Sequence, residues 1–265
     1  MQRSVSCRIL ATLTAPSEIV LAVAVADGAA TTETLSVTLD GIAVPVEDVL
    51  ADHGTRLHVV SGLAPGAVSV MYDAVVAGPT PSAVVTELDR LQYLRPSRYC
   101  ESDRLAAFAR FEFRGLDGTE LVDSVSSWVG RRVAYVAGSS RPIDGAVSTL
   151  LAREGVCRDF AHLTIAMLRA CDVPARLVAV YAPGLDPMDF HAVTEACIEG
   201  EWIVVDPTCL APRSALLRIA TGRDAADTAF LSATNDSLIL DELTVSAVID
   251  GALPTDDLTR SVRMS

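Results

Sequence analysis

The stretch "REGVCRDFAHL" at residues 153–163 places one cysteine, Cys157, after a Gly-Val turn and at the start of a helix-forming run. At a helix start, unpaired backbone N–H groups and the positive end of the helix dipole favour a thiolate over a thiol. That is a recognised route to a nucleophilic cysteine. Cysteine is also a small hydrophobe that is often buried, so position alone leaves both readings open. His191 opens a strand directly after a Pro/Gly loop, where it can come within hydrogen-bond reach of a nucleophile as a base. Asp206 stands near the end of the next strand, "EWIVVDPT", which an "EGE" turn joins to the first. The hairpin can bring Asp206 beside His191, where it would fix the imidazole tautomer and stabilise the imidazolium. Cys157, His191 and Asp206 together form one acyl-transfer geometry. A zinc site from the same three residues lacks a fourth ligand at close spacing, and nothing in the pattern calls for a cofactor.

The elements that would hold these groups follow from hydrophobic period. From Cys157, apolar residues fall at Phe160, Leu163, Ala166, Met167, Ala170 and Cys171, an amphipathic helix stripe that Pro174 would stop. His162 lies off that stripe and reads as structural, while Arg158 and Asp159 read as a local ion pair or as helix N-terminal charges. Three earlier helices are expected over 102–113, 118–136 and 143–153, the last with Gly155 near its end. After the Cys157 helix come a strand at 175–182, a loop at 183–190, strands at 191–198 and 201–208, and a last strand at 237–249. Trp128 and Tyr135 are upstream candidates for shaping a pocket, although core packing is the better reading of Trp128. The loop at 181–190 is equally a cleft rim and a plain turn.

Residues 3–76 read as short strands rich in Val, Ile, Leu and Thr separated by turn residues, the pattern of an antiparallel β-sandwich. The apolar run "EIVLAVAVAD" at 18–27 reads as one of these strands rather than as the core of a signal peptide. His53 and His58 have no partner in sequence and are expected at surface or strand positions. The segment "VAGPTPSAV" at 76–84 sets the boundary between a β-sandwich domain, 1–78, and an α+β domain, 79–265, that carries the chemistry and a C-terminal strand.

Composition bounds the rest. The chain has 265 residues, half of them hydrophobic, with a net charge of −13 and a mean hydropathy of +0.36. That allows a large core and argues against disorder. All 21 basic residues are arginine; an acidic chain without clustered cations does not suit nucleic acid, and no segment has the length of a membrane-spanning helix. Six cysteines without a C-x-x-C pair fit neither a disulfide scaffold nor a structural zinc site; reduced thiols in the cytoplasm are expected.

The motifs "GVCRDFAHL", "DVPARLVAVYAPG", "DFHA" and "WIVVDPT", in this order, resemble the transglutaminase-like superfamily of cysteine enzymes in its bacterial protease-like branch. "YLRPSRYCESDRL", "GRDAADTAF" and the β-rich N-terminal region extend the likeness over nearly the whole chain. The resemblance implies a papain-like fold, a cysteine-bearing helix on an antiparallel sheet, with Cys157 as nucleophile, His191 as base and Asp206 as its orienting partner. It implies an amide-bond hydrolase, a peptidase or amidase; a transglutaminase or amine acyltransferase, or a non-catalytic module retaining the fold, are the alternatives. Two positions depart from the family pattern: Val193 stands where Trp is usual after His-Ala, with Trp202 on the partner strand, and Cys209 follows "DPT" where Gly or Asn is usual.

Overall fold

The structure is a computed structural model that describes residues 1–80, 84–235 and 237–264. The N-terminal strands are β1 (Gln2–Leu13), β2 (Ser17–Leu21), β3 (Thr32–Leu39), β4 (Ile42–Ala43), β5 (Glu47–Leu50), β6 (Arg56–Leu63) and β7 (Gly66–Ala77). Alternation of buried and exposed side chains in β1 and β7 marks strands with one face on a core. Next come α1 (Glu87–Gln92), α2 (Ser102–Glu112), α3 (Gly118–Arg132), β8 (Ala134–Tyr135), α4 (Ala146–Ala152), β9 (Glu154–Gly155) and α5 (Cys157–Ala170). The chain then forms β10 (Ala175–Tyr181), β11 (Phe190–Ile198), β12 (Glu201–Val205), β13 (Leu217–Gly222), β14 (Leu231–Ala233) and β15 (Leu238–Ile249).

The fold is α+β with antiparallel sheets. Two sheets, in the orders β15-β1-β7-β3-β4 and β14-β2-β6-β5, enclose one core as a sandwich. The third, β12-β11-β10-β13, carries the helices on one face. Its other face buries Val178, Val180, Val193 and Val204 under Met264, and Val204 donates its backbone N–H to the Val262 carbonyl at 2.8 Å, so the C-terminal tail runs along this sheet. The sequence places the last strand with the chemistry-bearing region; β14 and β15 instead pair with β2 and β1, closing the sandwich from the far end of the chain. Of the expected boundary segment, residues 81–83 lie outside the described residues. Among the described residues, no helix is long and apolar enough to cross a membrane.

One helix end differs clearly from expectation. The helix expected over 118–136 stops at Arg132, because Ala134 and Tyr135 pair in parallel with Glu154 and Gly155. The helix before Cys157 is capped at the expected end by Arg153 in the left-handed conformation (φ 59°), with Gly155 two residues further on. Gly155 serves another purpose: a Cβ there would lie 2.6 Å from Cβ of Asp159, so only glycine lets β9 run this close to the start of α5. Finally, α5 ends at Ala170, with Asp172 left-handed (φ 63°) ahead of Pro174.

Candidate active site

Cys157 is the first residue of α5 and is half-buried, while the helix behind it is buried from Asp159 to Ala170. Asp159 fixes the start by accepting the Val156 N–H on Oδ2 at 2.9 Å and the Ser140 hydroxyl on Oδ1 at 3.0 Å. The polar residues within the helix are each given a partner. Arg169 donates to the carbonyls of Ala175, Arg95 and Arg223 at 2.8, 3.0 and 2.7 Å. His162 Nε2 accepts the Ala225 N–H at 3.2 Å, its ring stacks on Tyr99, and burial pushes its pKa down to about 3. His162 is therefore a neutral packing residue, as its place off the stripe suggests.

His191 is the second residue of β11, and Asp206 lies one residue beyond β12. The hairpin register pairs Thr194 with Val205, which carries Asp206 alongside the start of β11. His191 Nε2 and Asp206 Oδ2 are 2.8 Å apart, and both side chains are sealed from solvent. Asp206 Oδ1 accepts the backbone N–H and hydroxyl of Thr208 at 3.0 and 2.7 Å, so the carboxylate is held at both oxygens. Behind it, Gly130 of α3 admits the Pro207 carbonyl, which a Cβ would meet at 2.7 Å.

Burial lowers the proton affinity of His191, but the Asp206 charge and hydrogen bond outweigh it, and the nearby Cys157 sulfur adds to them; the pKa rises to about 10. Burial works against the Asp206 charge as well, and His191 and Thr208 overcome it, holding the carboxyl below its usual range. An ionised carboxylate only accepts hydrogen bonds, so Nε2 carries a proton toward Asp206. Nδ1 is buried without a well-directed hydrogen bond and is the nitrogen left for the thiol. The structure thus brings together the three residues that the sequence singles out.

Tyr135 had only a general part in the sequence reading. Its backbone pairs with Gly155 two residues before Cys157, its ring leans on Phe160 at 5.9 Å, and its hydroxyl lies near the Cys157 N–H. Burial raises the pKa of this phenol to about 12, so it remains an O–H group at neutral pH. Its i-to-j pairing across 20 residues leaves no signal in a single sequence. Trp128 packs on Phe108 and Phe113 and donates to Glu112 at 2.9 Å, a packing role. Trp202 lies 3.8 Å below the Arg176 guanidinium, beside Tyr93 at the hairpin end of the sheet and not by the thiol.

The histidines expected to lack partners are both engaged. His53 sits between Asp89 (2.9 Å) and Arg176 (3.2 Å), and His58 is buried near Asp48. Among the described residues, no group of three or more His, Cys, Asp and Glu side chains is arranged to hold a metal ion. A cavity of about 410 Å³ opens at Cys157 and His191.

Comparison with known proteins gives three findings. Residues 111–207, which contain Cys157, His191 and Asp206, match the family model described as the transglutaminase-like superfamily. Over nearly its whole length the chain is similar to a solved structure of a protein from Cytophaga hutchinsonii proposed to be a cysteine protease. The identity is 31%, the TM-score is 0.87, and 99% of this chain and 96% of that one are covered. Curated relatives include uncharacterised proteins of Mycobacterium leprae (28% identical, 56% of this chain and 55% of that one) and Mycobacterium tuberculosis (35% identical, 41% and 39%). The chain spans about half the length of the first and two fifths of the second.

Proposed function

Because the chain belongs to the transglutaminase-like superfamily, we propose that it is a cysteine-dependent amide-bond hydrolase acting through a Cys157–His191–Asp206 triad. The observation that carries the proposal is the buried 2.8 Å contact of His191 Nε2 with Asp206, which leaves Nδ1 for the Cys157 sulfur at a helix N-terminus. An imidazole with its pKa raised to about 10 is protonated at neutral pH. Nδ1 then already holds the proton taken from the sulfur, and the thiolate attacks the amide carbonyl carbon.

Negative charge then develops on the carbonyl oxygen and needs donors aimed at it. The Cys157 N–H, beside which the Tyr135 hydroxyl lies, is the donor at hand. As the C–N bond breaks, the imidazolium gives its proton to the leaving nitrogen, and a thioester remains on Cys157. Water attacks the thioester carbonyl, His191 Nδ1 takes up a proton from it, and the acid leaves as the sulfur departs. Asp206 keeps the ring in one tautomer and stabilises its cation throughout.

Hydrolysis is preferred to transfer onto an amine because the likeness that covers both chains almost completely is to a proposed cysteine protease. A reducing, cytoplasmic setting belongs to the same proposal, supported by six free cysteines. The test is to incubate the protein with a peptide library in the presence of a labelled primary amine and to read products by mass spectrometry. Cleavage that exceeds amine incorporation and vanishes in Cys157→Ala is the expected result. Incorporation exceeding cleavage would make the protein an acyltransferase, and products retained by Cys157→Ala would overturn the triad.

A further inference from the structure

The cavity beside Cys157 has walls drawn from parts of the chain far apart in sequence. Leu177 and Ile219 come from the central sheet, Phe230 and Leu231 from the start of β14, and Leu240 and Leu243 from β15. Ala22, just past β2, also lines it. Strands β14 and β15 belong to the sandwich sheets, so the sandwich forms one wall of the cleft that holds the thiol. Leu240 is 43% exposed, a large apolar side chain left at the edge of this cavity.

At about 410 Å³ the space falls in the range of small-molecule sites, roughly 300–1,000 Å³. The charged lining residues are Arg158, Asp189 and the His191 imidazolium, whose charge Asp206 already meets at 2.8 Å. Arg158 is engaged with the Ser140 hydroxyl and the Arg141 carbonyl. Burial raises the pKa of the Asp189 carboxyl, with the Phe190 N–H acting against the shift. A charged group entering between the leucines would lose its water without gaining a buried partner, whereas an apolar group would gain from burial.

We propose that this cavity receives an apolar side chain of the substrate beside the carbonyl that Cys157 attacks. The substrates are then peptides or amides with a leucine- or phenylalanine-like group at that position, and the sandwich is a specificity wall. The inference rests on Cys157 being the nucleophile. Such pockets discriminate by roughly 10–200-fold for a single methylene.

The test compares the rates at which four N-acetyl aminoacyl chloromethyl ketones, leucyl, phenylalanyl, glutamyl and lysyl, alkylate Cys157. In each case the sulfur displaces chloride and forms a C–S bond, read by peptide mass spectrometry. The leucyl and phenylalanyl reagents are expected to react at least about tenfold faster than the other two. Leu240→Asp should remove that advantage while leaving the rate with iodoacetamide, which carries no side chain, unchanged. Ala229→Trp, at an exposed position lining the same space, should slow the leucyl reagent and spare iodoacetamide.

Equal rates for all four reagents on the unaltered protein would overturn the proposal. So would variants that slow iodoacetamide as much as the leucyl reagent. Failure of the nucleophile assignment looks different: Cys157 would then react with iodoacetamide no faster than an ordinary thiol, while the ratios among the four reagents would still report the cavity.

Discussion

Two histidines in this protein, His191 buried and His53 half-buried, make the same contact with an aspartate and end with opposite proton affinities. His191 meets Asp206 through Nε2 at 2.8 Å, and His53 meets Asp89 through Nε2 at 2.9 Å. The difference lies at Nδ1. For His191 that side is left to a thiol, and the Asp206 charge prevails over burial, raising the pKa to about 10. At His53, Nδ1 faces the Arg176 guanidinium at 3.2 Å; burial and then the Arg176 charge lower its pKa in spite of Asp89. Arginine cannot accept a proton, so His53 is locked as the neutral Nε2–H tautomer. A histidine–aspartate pair is therefore not chemistry by itself. The third partner decides whether the pair is left a nitrogen free to exchange a proton or joins two parts of a fold.

The largest effect expected from breaking this contrast is on activity. Cys157→Ala or His191→Ala should lower hydrolysis on the order of 10⁴-fold or more, since triad members act as a unit. Asp206→Asn should cost up to about 10⁴-fold in kcat, measured with a peptide substrate, while the fold persists by circular dichroism. The matching change at the other pair should spare kcat and lower stability instead.

Second in size is the charge network around His53. Glu195 is buried between Arg176 (2.7 Å) and Arg218 (2.6 Å). Glu195→Gln would leave two buried guanidinium groups without their counter-charge, at a cost of about 3–5 kcal/mol, seen as a lower urea midpoint. Asp89→Ala removes the acceptor for His53 and also the one for the Thr86 N–H at the start of α1 (2.9 Å), and should cost about 1–3 kcal/mol, with kcat unchanged.

The smallest effect is in pH dependence, where the two pairs have opposite signs. His191 has a folded pKa above its ordinary 6.5, so its stabilising contribution is complete below 6.5 and is lost as pH rises toward about 10. His53 has a folded pKa below 6.5, so the unfolded chain takes up its proton first, and stability falls as pH drops below 6.5. His58 and His162, also shifted down, contribute to the acid side. Urea titrations from pH 5 to pH 10 should show a shallower decline below pH 6.5 in His53→Gln, and no decline from this source between pH 6.5 and 10 in His191→Gln.

Much of the candidate site was readable in the sequence, because it is local. Cys157 follows a turn into a helix, and His191 and Asp206 share a hairpin whose turn sets their register. The His53 pair was not readable, since Asp89 and Arg176 lie in other elements and each partner alone has the pattern of a surface residue. The same limit hid the route of β15: its alternation identifies a strand, but nothing in it says that its neighbour is β1, more than 200 residues earlier. Period also misjudged α5. The apolar stripe implies one buried face, yet the helix is buried all round, because Arg169, His162 and Thr164 find backbone partners that no periodicity reports.

The most direct measurement is the rate of alkylation of each cysteine by iodoacetamide near pH 7, read peptide by peptide. Cys209 is exposed, and burial pushes its pKa up with Asp206 adding to the shift, so it serves as the slow internal standard. If His191 draws the proton from Cys157, then Cys157 reacts well ahead of Cys209, and the advantage disappears in His191→Ala. If Cys157 reacts no faster than Cys209, or keeps its lead without His191, the half-buried thiol is a packing residue and the proposed triad is wrong.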